Sequence, residues 1–323
     1  MTTTQHIPET MKAMAIDHFG GLEEMHPATV AVPKPSPHDV LIRVDTAGVG
    51  VWDPWLVGGG MAGKAPRFPQ VLGSDGAGTV VDVGSRVKKL KVGDRVYGWG
   101  FGNPKGGFFA EYAAVSEDSA WPIPDALNAE EAGALAVSGI TALQGLERIR
   151  VREGSTLLII GASGGVGHVA LQLAKRMGAR VLAVASGDDG VKLVEKLGAD
   201  ATVEGRKEDV LAAVQAFAPE GLDAALVLAG RADGWQDVLQ KVKRGGHVAY
   251  PNGVEPVPRS HAGAPARAYD GVNSREAFTR LNAPIGDGPF HVELSRVYRL
   301  DETTQALRDV ERHHVGKLAI RVH

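Results

Sequence analysis

Residues Thr156 to Gly167 read Thr-Leu-Leu-Ile-Ile-Gly-Ala-Ser-Gly-Gly-Val-Gly, a glycine turn between an apolar run and a helical pattern. The chemistry open to such a turn is to hold a phosphate anion. Leu157 to Ile160 is continuously apolar, as in a strand covered on both faces, and Val166, Val169, Ala170, Leu173 and Met177 then recur at helical spacing. Gly164 and Gly165 carry no Cβ, so a diphosphate can approach the backbone N–H groups at the positive end of the helix, while Gly167 lets helix and strand pack tightly. Aligned on Gly164 and Gly167, the pattern G-x-G-x-x-G has Ala162 in place of its first glycine.

The surroundings favour a nucleotide over a plain connecting turn. A second apolar strand, Val181 to Ala185, follows at the βαβ distance, then a helical stretch over Val191 to Leu197 and strands at Ala224 to Leu228 and His247 to Tyr250. Before this unit, residues 11 to about 130 are rich in Gly, Pro and short alternating runs such as Val40 to Val44 and Gly78 to Val83, the pattern of a compact antiparallel β domain. Asn128 is placed to cap a helix with Glu130 and Glu131, and the apolar residues Ala132 to Leu146 lead into the nucleotide unit. After residue 285, a strand over Phe290 to Val297, a helix over Asp301 to Arg312 and a strand over Leu318 to Val322 are too few for a domain and are expected to rejoin the first. The expected division is therefore residues 1–130 with 286–323, and residues 131–285.

A chain of 323 residues, 44% hydrophobic and 23% charged, is long enough for two domains with proper cores. Its net charge of −3 and lack of a basic run argue against nucleic acid as the main partner. With no cysteine, disulfides, thiolate catalysis and cysteine-ligated metals are all removed. No apolar stretch approaches the roughly twenty residues of a membrane span, and the polar start Met1 to Thr10 does not read as a signal peptide, which fits a cytoplasmic protein.

Several short segments, in order, resemble the medium-chain dehydrogenase/reductase superfamily, and within it the zinc-free quinone oxidoreductase-like branch. They are Leu72 to Gly78 followed by Val83-Gly84, then Val92 to Val96, Gly106 to Tyr112, Ser138 to Leu143, the glycine turn, and Gly316-Lys317. The resemblance covers nearly the whole chain. It implies an α/β protein with a GroES-like β domain for substrate, a Rossmann domain with a doubly wound parallel sheet, and the nicotinamide between them. Where metal-dependent members carry a zinc-binding Cys after Ala-Gly-Val, this chain has Gly50; where they carry Gly-His-Glu, it has Gly73-Ser74-Asp75. The segment Gly98 to Phe109 is too short and cysteine-free for the lobe that holds a structural zinc. No metal is expected.

Hydride transfer without a metal suits an acceptor that is already electrophilic, a quinone or an alkene conjugated to a carbonyl. The resemblance places Gly50, Trp52, Asp53 and Trp55 along the substrate pocket, with Trp99 and Phe108 on its border. An Asn and a Tyr of quinone reductase relatives fall on Gly50 and Trp55, which makes the pocket more apolar and leaves the proton donor unassigned. On local grounds Trp52 and Trp55 read equally as core aromatics, and Asp53 before Pro54 as a turn residue.

For the cofactor, the resemblance assigns Ala162, Ser163, Gly164, Gly165 and Val166 to the diphosphate. Thr141, otherwise a helix cap, would lie near phosphate or nicotinamide, and Ala229, Gly230, Tyr250 and Asn252 near the ribose or nicotinamide. The acid that would bind a ribose 2′-OH falls on Ala185, followed by Ser186, which favours NADPH over NADH. Lys192, Arg206 and Arg312 are the candidate partners of a 2′-phosphate, unless they are ordinary surface charges. Asp188 and Asp189 lie close by, and a Lys and a Tyr of some relatives fall on Gly190 and Gly205. His313-His314 are adjacent rather than spaced for a metal, and His168 reads as a packing or surface residue of the helix. Homodimers would pair the segment Ala266 to Val272, and Gly253 to Pro265 reads as a mobile loop.

The expected function is NADPH-dependent reduction of a quinone or similarly activated small molecule without metal. The alternatives are an enoyl or alkenal reductase and, in another class, an NADPH-binding structural or regulatory protein with little turnover.

Overall fold

A computed structural model describes residues 6–60 and 67–323. The chain forms two units, the first running to Val137 and completed by Asn273–Thr279 and Leu294–His323, the second comprising Ser138–Val272 and Arg280–Glu293. The sequence reading put residues 286–293 in the first unit, whereas they belong to the second, and it put residues 131–137 and 273–279 in the second unit. The latter two stretches belong to the first because helix Ala129–Gly133 lies on strands Asp39–Val49 and Asp75–Val83, Val137 N–H bonds Asp75, and Phe278 packs against Tyr97 and Trp121. The capping box expected at Asn128 is present, with Asn128 Oδ1 accepting the Glu131 N–H at 2.9 Å and the Glu131 carboxylate accepting that of Asn128 at 3.1 Å.

In the first unit, a seven-stranded sheet runs Leu294–Arg299, Lys317–Arg321, Asp39–Val49, Asp75–Val83, Arg95–Trp99, Ala120–Pro122, with Tyr112–Ser116 also paired to Asp39–Val49. Thr10–Ile16, His26–Ala31 and Gln70–Val71 form a smaller sheet. The C-terminal strand rejoins this unit as expected, antiparallel to Asp39–Val49 with Leu318 opposite Val49. Strand Asp39–Val49 in turn sets Gly48 opposite Asp75 on its other side. Three neighbouring strands thus bring Lys317, Val49-Gly50 and Asp75 to one end of the sheet. Two C-terminal elements are shorter than their sequence pattern. The strand begins only at Leu294, because His291 is bound by Gln172 instead. The helix runs Thr303–Asp309 after a 3₁₀ turn, and Arg312 folds back onto Asp309.

The second unit holds a six-stranded parallel sheet in the order Ala201–Glu204, Arg180–Ala185, Thr156–Ile160, Leu222–Val227, Val242–Pro251, Ala266–Tyr269. Its central strands are buried on both faces, which accounts for their unbroken apolar runs. Strand order reverses on either side of Thr156–Ile160, so the crevice for a ligand lies beyond the carboxyl end of that strand. The Gly253 to Pro265 stretch is not a free loop but is stitched to its own unit: the Arg259 N–H donates to Gly234 O at 2.9 Å, Gly245 N–H to Gly263 O at 2.7 Å, and His261 Nε2 lies 2.7 Å from Val242 O.

Candidate functional site

At the switch point, Gly161 leaves the strand with φ +79°, a conformation that favours glycine, and helix Gly167–Arg176 begins six residues later. The Gly161 and Ala162 N–H groups donate to Val184 O at 3.0 and 2.9 Å, which ties the turn to the next strand. A Cβ on Gly167 would stand 2.1 Å from Gly161 O, so only glycine lets the helix start this close to the strand. Among the described residues, the N–H groups of Gly165 and Val166 enter no hydrogen bond. These half-buried donors at a helix N-terminus fit a diphosphate.

The neighbouring strand ends complete this side. Ser163 is buried, and its hydroxyl accepts the Ser186 N–H at 3.4 Å. Ser186 precedes helix Gly187–Lys196. Buried Glu204, from the adjacent strand, accepts the N–H groups of Gly187 at 2.8 Å and Arg206 at 2.9 Å, and these hold its carboxyl below the usual carboxylate range. The side chains of Lys192 and Arg206 are exposed and, among the described residues, in no ion pair, whereas Lys207 is bound to Asp188 at 2.9 Å. Ala229 O accepts the Trp235 indole N–H at 2.8 Å, and Gly230 runs against Glu255 O so closely that no side chain fits. Tyr250 is half-buried at the end of its strand, and the Asn252 amide donates to Asp270 at 2.8 Å. Thr141 lies buried on helix Ala136–Arg148, its carbonyl accepting the Tyr269 hydroxyl at 2.9 Å. Arg312 belongs to the first unit, where it pairs with Asp309 at 2.8 Å.

In the first unit the sheet end described above carries a buried polar corner. Asp53 is fully buried, its two oxygens accepting the Gly50 N–H at 2.7 Å and the Ser74 hydroxyl at 2.8 Å. Burial pushes its carboxyl up to about 7, against the opposing pull of those two donors and of the Lys317 charge. Asp75 is also fully buried and raised by burial, with the Lys317 charge and the Val137 N–H acting the other way. Lys317 is 3% exposed, its Nζ 3.5 Å from Asp75 Oδ2 and 5.0 Å from the centre of the Trp52 ring. The Trp52 indole lies over Gly50, where a Cβ would come within 2.2 Å of the ring. Gly50 therefore lies directly beneath the Trp52 ring.

Trp52, Phe101 and Trp99 form a run of edge-to-face aromatics with centroids 6.4 and 6.1 Å apart. The Trp52 Nε1–H is buried and without a partner among the described residues. Trp55 is 51% exposed and folds over Gly60, so it is not a core residue. Phe108 is fully buried in the β core, a packing position rather than a pocket border. The sequence reading missed Phe101, the pairing of Asp75 with Lys317, the bond from Ser74 to Asp53, and Glu204. The one available signal was a lysine opening the apolar strand Lys317-Leu-Ala-Ile.

A GroES-like β unit joined to a Rossmann sheet with a phosphate turn at its switch point defines a class of nicotinamide-dependent oxidoreductases. Residues 36–125 match the alcohol dehydrogenase GroES-like domain family, and residues 165–255 the zinc-binding dehydrogenase family. The chain is 31% identical to a rat (Rattus norvegicus) quinone oxidoreductase over 95% of its own length and 96% of that protein's. It is 34% identical to a tomato (Solanum lycopersicum) 2-methylene-furan-3-one reductase over 78% of its length and 65% of that protein's. The quinone oxidoreductase structure from Coxiella burnetii superposes with a TM-score of 0.83 at 27% identity, covering 97% of this chain and 100% of that one. The protein belongs to the medium-chain dehydrogenase/reductase superfamily and is quinone oxidoreductase-like. Members of this family bind nicotinamide cofactors. No helix among the described residues is long and apolar enough to cross a membrane.

Proposed function

We propose that this protein is an NADPH-dependent reductase of a quinone or a similarly activated small molecule, working without zinc. The observation that carries the metal-free reading is that the polar corner already holds a cation of the chain's own, the buried Lys317 ammonium 3.5 Å from Asp75 Oδ2. Asp75 is held by Lys317 and Val137, Ser74 donates to Asp53, and Gly50 lies under an indole. A divalent ion there would have to displace a buried ammonium and lacks any thiolate.

When bound, the reduced nicotinamide supplies the hydride. The N–H groups of Gly165 and Val166 hold the diphosphate, while Lys192 and Arg206 offer charge to a 2′-phosphate beside Ser186. The aromatic run of Trp52, Phe101 and Trp99 suits a flat acceptor and excludes water from it. Relatives named for quinones carry this reading, and the tomato reductase, named for a conjugated alkene, supports an activated double bond as the second acceptor class. The free edge of strand Ala266–Tyr269 is the proposed contact of a homodimer.

NADPH oxidation is to be followed against a panel of quinones and a panel of enals, with and without chelator. Turnover of quinones above enals, unaffected by chelator, is expected. Lys192→Ala combined with Arg206→Ala should raise KM for NADPH by roughly tenfold and leave that for NADH unchanged. Activity that is lost on chelation and restored by zinc would sink the metal-free reading, and tight NADPH binding with no turnover would favour a binding protein instead.

A further inference from the structure

His168 lies in the first turn of helix Gly167–Arg176 and is fully buried. Its Nδ1 is 2.8 Å from Gly164 O, and its Nε2 accepts the Glu293 N–H at 3.2 Å. A carbonyl only accepts, so Nδ1 carries the proton and the ring is held as one neutral tautomer. The His168 backbone N–H reaches the same Gly164 oxygen at 3.1 Å, so that carbonyl is grasped twice by one residue.

The consequence follows from peptide geometry. Gly164 C=O and Gly165 N–H belong to one planar trans unit and point in opposite directions. Pulling the carbonyl toward the helix therefore aims the Gly165 N–H away from it, toward the open side of the turn. Between two glycines no side chain opposes a flip of that peptide plane, so without a fixed partner the donor would wander.

The ring is itself anchored. On the same helix face, at intervals of four residues, Gln172 bonds His291 through both ends of its amide, at 2.8 Å to the carbonyl and 3.0 Å from the N–H. Arg176 donates to Gly288 O and Pro289 O at 3.2 and 2.6 Å and lies over the Phe290 ring. His168, Gln172 and Arg176 thus clasp residues 288–293, the segment just before the chain returns to the first unit at Leu294.

We propose that His168 is a positioning residue for the cofactor diphosphate, pinning the Gly164–Gly165 peptide so that its N–H stays presented, with the 288–293 segment as the ring's backstop. The proposal rests on the reading that a nicotinamide dinucleotide is bound, and its test needs no substrate.

Dissociation constants for NADPH, NADH, ADP-ribose and 2′-AMP are to be measured by calorimetry or competition on wild-type protein, His168→Leu and His168→Asn. Leucine keeps the bulk and loses both nitrogens, whereas the Asn amide keeps a donor near the Nδ1 position. The Leu variant should bind the dinucleotides and ADP-ribose roughly tenfold more weakly, and 2′-AMP, which has no diphosphate, about as wild type does. The Asn variant should recover most of the loss. A purely structural histidine would instead weaken all four ligands together and gain nothing from Asn. Wild-type dinucleotide affinity in the Leu variant, or equal loss of 2′-AMP, overturns this proposal alone. Wild-type protein that binds neither dinucleotide overturns the cofactor reading and this proposal with it. Should the Leu variant not fold, the comparison of Asn with Gln decides: Gln carries its amide one bond farther and is expected to bind as weakly as Leu, so equal affinity of the two overturns the proposal.

Discussion

In the second unit the groups offered to a ligand are backbone amides, whereas in the first the polar corner is built of side chains. The turn after Ile160 presents the N–H groups of Gly165 and Val166, and its shape depends on where side chains are missing. The corner depends on side chains that are present and ionisable: Asp53, Asp75 and Lys317, all nearly removed from solvent. A backbone site needs no charge to be buried and is perturbed mainly by bulk. A buried charge cluster is perturbed by removal of any one member, because the others are left without compensation.

The strongest way to break this contrast is Lys317→Met, which leaves two buried carboxyls without their cation. A loss of about 3–5 kcal/mol is expected from urea unfolding. Asp75→Asn in the same chain should return part of it, and simple additivity would show that the cluster is not coupled. The pH dependence comes next in size. The Asp53 carboxyl is at about 7 in the folded protein against 3.8 for the ordinary group, so the native state binds more protons between those values. Its contribution is fully present below about pH 4 and is lost as pH rises through about 7, on the order of a few kcal/mol in all. Asp53→Asn should lack that slope, so the difference in stability between wild type and variant should itself change with pH between about 4 and 7. An unchanged slope would show that Asp53 is ionised throughout.

In the second unit, Gly167→Ala tests bulk without charge. The added methyl meets backbone at 2.1 Å, and a loss of about 1–3 kcal/mol together with weaker dinucleotide binding is expected from thermal unfolding and calorimetry. Unlike the corner variants, it should show no change in pH slope. The smallest effect is at helix Ala129–Gly133 of the first unit: Asn128→Ala removes one cap and should cost about 1 kcal/mol, with cofactor affinity unchanged.

The two regions also differed in how far they could be read in advance. The turn was legible because its signal is local, a continuous apolar strand, glycines at fixed spacing and a helical period within some twenty residues. The βαβ order was legible for the same reason. The corner was not, since Asp53, Ser74, Asp75 and Lys317 are scattered along the chain and meet only through strand register. Trp55, Phe108 and Arg312 were assigned by position, and the sequence did not show their surroundings: one is exposed, one lies in the core, and one is paired with Asp309. His168 looked like packing, and its second bond comes from Glu293, distant in sequence.

Composition, periodicity and glycine spacing determined the two kinds of unit, the phosphate turn and the absence of cysteine chemistry, because each depends on neighbours within a few residues. Tertiary structure alone decided that a lysine stands buried beside Asp75, that an indole covers Gly50, that Glu204 holds the Gly187 N–H, and that His168 is bound between Gly164 O and the Glu293 N–H. Those contacts are made by residues that only the pairing of strands and the return of the C-terminal segment bring within hydrogen-bond distance.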